Sequence, residues 1–565
     1  MSSFRPLAHP LRSLRLLALG LAVPVFAVSV GAAPLEESDA IETLLAGLPA
    51  SHELGWLPDD DLSVTALEQF ADLLPNVDRI AGAPPPDHIV RLGIEEAITL
   101  TLENSTALEQ ASFTPRIRAQ DVGAQRGSIF DTTFTAILRG NGGESPTSST
   151  LDGAAVSART NWSASAGLGQ RLATGAMLDL SYSLSYSKNN SSFSNLNPVW
   201  NNSVDLSARQ PLLRGFGPTV TRQAIRSADL SAQASEQDYR NTVINTVQQS
   251  MNTYWDLYFA DRQALVRLRS LEQARLVLRN NRIRRDVGDM TRAEVLQAES
   301  VVAQREGDYF SSLRSIQDTE DALWILIDRT GEAQRWDYGI EPTEIPGLEQ
   351  MPLSEEQLIQ LAMQNRPDLQ SAQLNRDRTE LSRRVAANGL LPQLDLFGSY
   401  GFSGLGGEPG HAHEQTVNGS FEQWTVGLEL SYPLQNRAAR HRMRAAELSL
   451  EQAEVGLESL RLNILLDVRN TLRRLQNAID LAAARDAEVT ARAAELQDEQ
   501  RRYEVGLSTT ELLLRFQDDT ASAAINALSA RVEYAKAMIA LDQVTGRLLD
   551  RHDITIEPAE RSPRR

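Results

Sequence analysis

The sequence contains no cysteine. That excludes disulfides, thiol catalysis and thiolate metal ligands together. It also excludes a lipid anchor of the bacterial lipoprotein type, which needs a cysteine just after the leader. Lysine is nearly absent, present only as Lys188 and Lys536. Neither glycine-rich stretch, LRGFG or GLGGEPG, therefore carries the lysine of a phosphate-binding loop, and neither sits in a strand–loop–helix pattern that would make it one. There is no nucleophile elbow, so an enzyme is not expected. Positive charge is in deficit, with a formal net charge of −19, which argues against nucleic acid as a general partner. Beyond residue 33 no segment is long and apolar enough to span a bilayer as a helix. A membrane-resident form must then cross as strands.

What is present starts with the leader. Arg5, Arg12 and Arg15 precede the apolar run LLALGLAVPVFAVSVGAA, residues 16–33. A basic flank, an apolar stretch and small residues at its end are the marks of a secretory signal peptide, here residues 1–33, with cleavage expected near Gly31 to Ala33. An acidic extension with PDDD and APPP follows over 34–90.

The rest of the chain is written twice. LGIEEAITLTLENSTALEQA (92–111) aligns without gaps on LSEEQLIQLAMQNRPDLQSA (353–372) at an offset of 261. Pro211-Leu212 matches Pro433-Leu434 at offset 222, and Val287-Gly288 matches Val505-Gly506 at offset 218. The offset thus falls by 39 between the opening helix and Pro211, so the first half carries about that many extra residues there. The expected organisation is a first structural repeat over 91–331, a linker over 332–352, a second repeat over 353–549 and a tail over 550–565.

Within each repeat the hydrophobic period changes. WTVGLELSY (424–432) alternates: Trp424, Val426, Leu428, Leu430 and Tyr432 face one way, and Thr425, Gly427, Glu429 and Ser431 the other. LDLFGSYGF (394–402) does the same. Such a pattern suits a strand with lipid on one face and a polar lumen on the other, or a half-buried strand of a soluble sheet. The first half offers four such segments, 129–138, 160–168, 177–187 and 204–210, against two in the second. The extra pair reads as an enlarged hairpin or external loop, a wider barrel being the alternative. After the strands, apolar residues recur every three or four positions over 220–286 and 437–503, without a proline. Each run predicts a helix about 100 Å long at 1.5 Å per residue. Return helices are predicted over 290–329 and 508–545, and sustained stripes of this length imply coiled-coil packing. Val287-Gly288 and Val505-Gly506 read as the turns of two αα-hairpins, glycine supplying the positive φ. His411, His413 and Glu414 could chelate a metal, but they lie in a predicted glycine-rich external loop and read as a solvated tip. No cofactor is expected.

Two strand pairs would give four membrane strands per chain. Four cannot close a barrel, and an open edge in lipid is not tolerated. Several chains must share one barrel.

With these features the sequence resembles the TolC family of outer-membrane efflux proteins over roughly residues 92–549. The carriers are the duplicated opening helix, LLPQLDL (390–396), YPL (432–434), QPLLRGFG (210–217) and RYEVGLSTTELLLRFQ (502–517). The resemblance implies an α+β membrane protein in which duplicated coiled-coil hairpins carry strands into a shared trimeric barrel of twelve strands. It implies a passive exit duct of a tripartite efflux or type I secretion system, in the outer membrane of a Gram-negative bacterium with a long periplasmic portion. Its partners would be two further copies, a periplasmic adaptor (membrane fusion protein), an inner-membrane pump of RND or ABC type, and outer-membrane lipid. Val287, Gly288, Val505, Gly506 and Leu507 match the adaptor-contacting turns. Pro211, Pro392 and Pro433 match the strand–helix junctions. Glu294 matches the acidic residue near the tunnel constriction, with Glu511 one place off the corresponding position in the second half. A non-pore periplasmic coiled-coil scaffold is the competing reading; it would need no lipid-facing strands.

Overall fold

The computed structural model describes residues 89–148, 156–328, 338–347 and 354–556. The leader, and the extension as far as residue 88, lie outside the described residues.

The two halves share one order, a short strand, two helices, longer strands, a long helix and a return helix, with two more long strands in the first. The first begins with a short strand β1 (Ile89–Leu92), then helices α1 (Ile94–Asn104) and α2 (Thr106–Phe130). Four strands follow: β2 (Thr133–Pro146), β3 (Val156–Arg171), β4 (Met177–Asn189) and β5 (Val199–Pro211). A single turn, α3 (Pro218–Thr221), leads into the long helix α4 (Gln223–Asp286) and its return partner α5 (Arg292–Ile327). The second half has β6 (Gly339–Pro342), α6 (Glu355–Asn365), α7 (Pro367–Asn388), β7 (Gln393–Gly406), α8 (Pro409–Val417), β8 (Phe421–Ser431), α9 (Arg437–Glu504), α10 (Thr510–Val544) and α11 (Leu548–Arg551).

The opening helix of each half is broken in the same place. Ser105 and Arg366 both adopt extended backbone, with ψ of 114° and 122°. Ser105 caps α2 by accepting from Leu108 N–H, and Pro367 starts α7 at a position where its missing N–H costs nothing. The strand expected at 129–138 begins later, because Asp131 N–H still closes the last turn of α2 on Gly127 O. The segment expected to be a loop between β7 and β8 contains helix α8. Ala412 and Thr416 turn inward and seat it on the sheet; a Cβ on Gly404 would lie 2.0 Å from Ala412 O, so only glycine permits this approach.

The helices form one layer. At the strand end α2 packs on α4, α4 on α7 and α7 on α9; at the far end α4 carries both α5 and α10, and α10 packs on α9. The largest core lies midway, around Val247, Tyr254, Trp255, Leu323, Val532 and Leu548. There β1 and β6 pair in parallel, Ile89 opposite Gly339 and Leu92 opposite Pro342, a two-stranded sheet that joins the start of the first half to the linker. Glu344 from the same linker accepts from Ile94 N–H at 3.0 Å and so caps α1, favourable for a carboxylate at a helix N-terminus.

Beside this sheet Glu320 accepts the Ile340 N–H at 2.8 Å. Burial, reinforced by Asp261 and Asp321, pushes its pKa up to about 7 despite that bond. The folded state therefore holds the proton more tightly than the unfolded chain. Below about pH 4.5 the site costs nothing; the penalty grows between about pH 4.5 and 7 and is complete above. Glu320→Gln keeps an acceptor for Ile340 and removes the charge. After discounting for solvent screening it is expected to stabilise the protein by roughly 1–2 kcal/mol at pH 8. Thermal melts of both proteins should converge as the pH falls to 4.5; a constant gap would refute the assignment.

Candidate functional site: the amphipathic sheet and the hairpin tips

All six long strands belong to one antiparallel sheet in the order β2-β3-β4-β5-β7-β8. The sheet thus holds six strands, where two strand pairs would have given four. The β2–β3 pair is neither an external loop nor a detached hairpin, because β3 pairs with β4 over thirteen positions from Arg159 opposite Asn189 to Arg171 opposite Met177. The halves meet at β5 and β7, from Trp200 opposite Gly406 to Pro211 opposite Asp395.

Directly opposed residues share a face. One row across the whole sheet reads Phe134, Leu168, Leu180, Leu206, Tyr400, Trp424. The row one residue along, on the opposite face, reads Thr135, Gly167, Ser181, Asp205, Gly401, Gln423. The apolar face stays uncovered in the single chain: Phe134 is 66% exposed, Trp424 71% and Leu428 65%. Toward the end remote from the long helices an aromatic row of Trp162, Tyr186 and Trp200 crosses β3 to β5, with Trp162 lying over Gly140 of β2. From Leu178 to Tyr186 the apolar face extends about 27 Å along β4, or roughly 21 Å along an axis to which the strands tilt by about 40°. That approaches the ~25 Å apolar band, bounded by aromatic girdles, of an outer-membrane wall. The polar face carries an ion cluster near the helices, where Arg209 donates to Asp395 (3.2 Å) and Glu429 (2.7 Å).

Pro211 ends β5, Pro392 immediately precedes β7, and Pro433 stands between β8 and α9. The structure brings the first two together: Leu212 N–H donates to Leu394 O and Arg214 N–H to Pro392 O. Pro433 lies at the other strand of the second hairpin. The short turn between β3 and β4 docks at the same junction, where Gly217 N–H donates to Thr174 O and the Thr174 hydroxyl to Gln210.

At the opposite end of the molecule the two hairpins turn in the same way. Gly288 and Gly506 have φ of +85° and +78°. Around them, Asp289 N–H reaches Arg284 O and Leu507 N–H reaches Arg502 O, both at 2.8 Å, while the glycine N–H groups bond Arg285 O and Tyr503 O. This six-to-one plus five-to-two pattern is the Schellman motif, which demands a left-handed residue. Thr291 and Thr509 then cap the return helices. Val287, Val505 and Leu507 project from the tips, 75%, 69% and 77% exposed. Just inside, Tyr503 donates to Asn281 (2.7 Å), whose amide donates to Thr510 (3.1 Å), a buried network tying the second hairpin to the first. Arg305 of α5 makes a second tie, donating to Ser270 O, Gln517 Oε1 and Leu514 O. Sequence reasoning missed both, since nothing local marks a partner over 200 residues away.

Glu294 and Glu511 lie in the first turns of α5 and α10. Glu294 completes a capping box: bonds from the backbone N–H and then the hydroxyl of Thr291 hold its carboxyl below the usual carboxylate range. His413 is engaged by the Asn202 amide at 3.1 Å, and among the described residues no group of three potential ligands clusters for a metal.

The comparisons with known proteins agree with this geometry. The profile of the family described as outer membrane efflux protein matches residues 150–327 and 358–547. The outer membrane efflux protein BepC of Brucella suis is 23% identical over 347 residues, 61% of this chain and 72% of its own length. The pyoverdine export outer membrane protein OpmQ of Pseudomonas aeruginosa is 28% identical over 334 residues, 57% of this chain and 66% of its own. The crystal structure of the Campylobacter jejuni CmeC outer membrane channel superposes with a TM-score of 0.60 at 16% identity, over 80% of this chain and 86% of that one. A duplicated helical-hairpin frame, a sheet apolar on one face, and a family match spanning most of both halves lead to one conclusion: the chain belongs to the outer membrane efflux protein family.

Proposed function

We propose that this outer-membrane channel, a non-enzymatic duct by family, works as a homotrimer whose helices form a periplasmic tube, and that it serves as the passive exit of a tripartite machine. A periplasmic adaptor would grip the hairpin tips, and an inner-membrane pump of RND or ABC type would drive the cargo. In this reading residues 1–33 direct export and are removed.

The observation that carries the proposal is the unbroken apolar row from Phe134 to Trp424 on a sheet with two open edges. A sheet apolar on one face and polar on the other, in lipid, must close, and six strands fall short of the smallest single-chain barrels. The helical layer has the same two edges at the strand end. Its edge helix α9 exposes Leu448, Val455, Leu462 and Leu466, at spacings of seven, seven and four, and the opposite edge helix α2 exposes Phe113 and Ile117. Stripes of this kind on both flanks suit head-to-tail packing of copies in a ring. Fractionation tests it: the mature protein should require detergent for release from outer membranes. Recovery in the periplasm without detergent would instead establish the scaffold reading.

At the tips, Gly506 has open space where a Cβ would stand but a φ that L-residues rarely adopt. Gly506→Glu adds about 1 kcal/mol of local strain and a charge between the exposed Val505 and Leu507. Export should fall at least tenfold while the trimer remains in the outer membrane. Undiminished export at normal protein levels would exclude the tip as the adaptor contact.

A further inference from the structure

The 39-residue surplus of the first half has a precise address. Residues 133–171, from the first residue of β2 to the last of β3, are that long, and β5 and β8 begin at positions related by the offset of 222. The duplicated unit thus corresponds to β4–β5 and β7–β8, and β2–β3 is the addition.

We propose that this added hairpin is part of the membrane wall, so that a trimer closes a barrel of eighteen strands rather than twelve; this rests on the trimeric reading above. Three observations converge. The hairpin repeats the sidedness of its neighbours, with Phe134 and Leu168 in the apolar row and Thr135 and Gly167 in the polar one. Its outer strand β2 is an edge, leaving a row of backbone donors and acceptors that lipid cannot satisfy. Because β2 and β8 run in opposite directions, β8 of the next copy can pair with it and keep the whole ring antiparallel.

The third observation is a match of widths. Four helices, α2, α4, α7 and α9, lie side by side below the sheet in each copy. At about 8–10 Å between axes they span an arc of about 32–40 Å. Six strands about 4.8 Å apart and tilted by about 40° span roughly 37 Å, whereas four would span only about 25 Å. The hairpin therefore brings the sheet to the width of its own helical layer at an ordinary tilt. Barrel diameter grows roughly linearly with strand number, so eighteen strands give about a twofold larger cross-section than twelve at the same tilt. The addition suits a bulkier cargo at the outer membrane.

The cysteine-free background makes the test direct. Thr135→Cys on β2 would be combined in turn with Gln423→Cys, Thr425→Cys, Gly427→Cys and Glu429→Cys along β8. A second series would replace Thr135→Cys by Ser181→Cys, at the same level on β4. Under mild oxidation the first series should yield covalent trimers on non-reducing gels for at least one pairing, and the second none. Covalent trimers from the β4 series overturn the proposal, because they place the added hairpin outside the wall. So does an absence of cross-links from both series in a chain that is trimeric by native mass measurement. A monomeric or dimeric mass would overturn the trimeric reading itself, a different failure. Strand counting by electron cryomicroscopy of the unaltered protein guards against variants that do not assemble: eighteen is expected, and twelve overturns the proposal.

Discussion

Leu206→Arg is expected to abolish assembly in the outer membrane. Leu206 sits in β5, an interior strand, directly between Leu180 and Tyr400 in the apolar row, and is half-exposed in the single chain. In the proposed wall that exposure is to hydrocarbon. An arginine near the mid-depth of such a wall costs about 2–4 kcal/mol per copy, and the proposed trimer would carry it three times. The adjacent Ser207 faces the other way, opposite Asp179 and Ser399. Ser207→Arg places the same charge in a wet lumen beside a carboxylate and should be tolerated. Outer-membrane content of the trimer for the two variants measures the difference. If Leu206→Arg assembles and Ser207→Arg does not, the faces have been assigned the wrong way round.

The contrast between these neighbours also shows what sequence can tell. Alternation in WTVGLELSY places Trp424 and Leu428 on one face because side-chain direction in a strand is set by local geometry. The hairpin turns are legible for the same reason: a Schellman turn needs a left-handed residue, and Gly288 and Gly506 supply it within a few residues. Sheet membership is not local. Nothing in the segment over 160–168 reveals that β3 joins β4, so the surplus pair could not be told from an external loop. The strand β1 escaped notice because four residues show no period and its partner Gly339–Pro342 lies 250 positions away. Helix α8 was hidden by glycines on either side, although Pro409 at its start and the inward Ala412 and Thr416 are what fold it against the sheet. Glu294 shows the opposite hazard. Its position suggested a constriction ring, yet its carboxylate is committed to capping α5, so any role in the tunnel must coexist with that bond.

The second hairpin should depend strongly on one ion pair. Arg531 of α10 donates from Nε (3.2 Å) and Nη2 (2.7 Å) to the two oxygens of Asp486 on α9. Its side chain is 5% exposed and that of Asp486 20%. A forked pair of this kind has already met its desolvation cost through geometry, and removing one partner leaves the other charged and largely buried. Arg531→Met preserves most of the apolar stem. It is expected to cost about 3 kcal/mol, the lower end of the 3–5 kcal/mol range because Asp486 keeps some solvent. Adding Asp486→Leu to Arg531→Met removes the stranded carboxylate and should recover more than half of that loss, a coupling well above the error of additivity for separated sites. Helical melting followed by circular dichroism in detergent, on both single variants and the double, gives the cycle. A fall of less than about 1 kcal/mol for Arg531→Met, or a double variant as unstable as the sum of the singles, would show that packing along α9 and α10, and not this pair, holds the hairpin together.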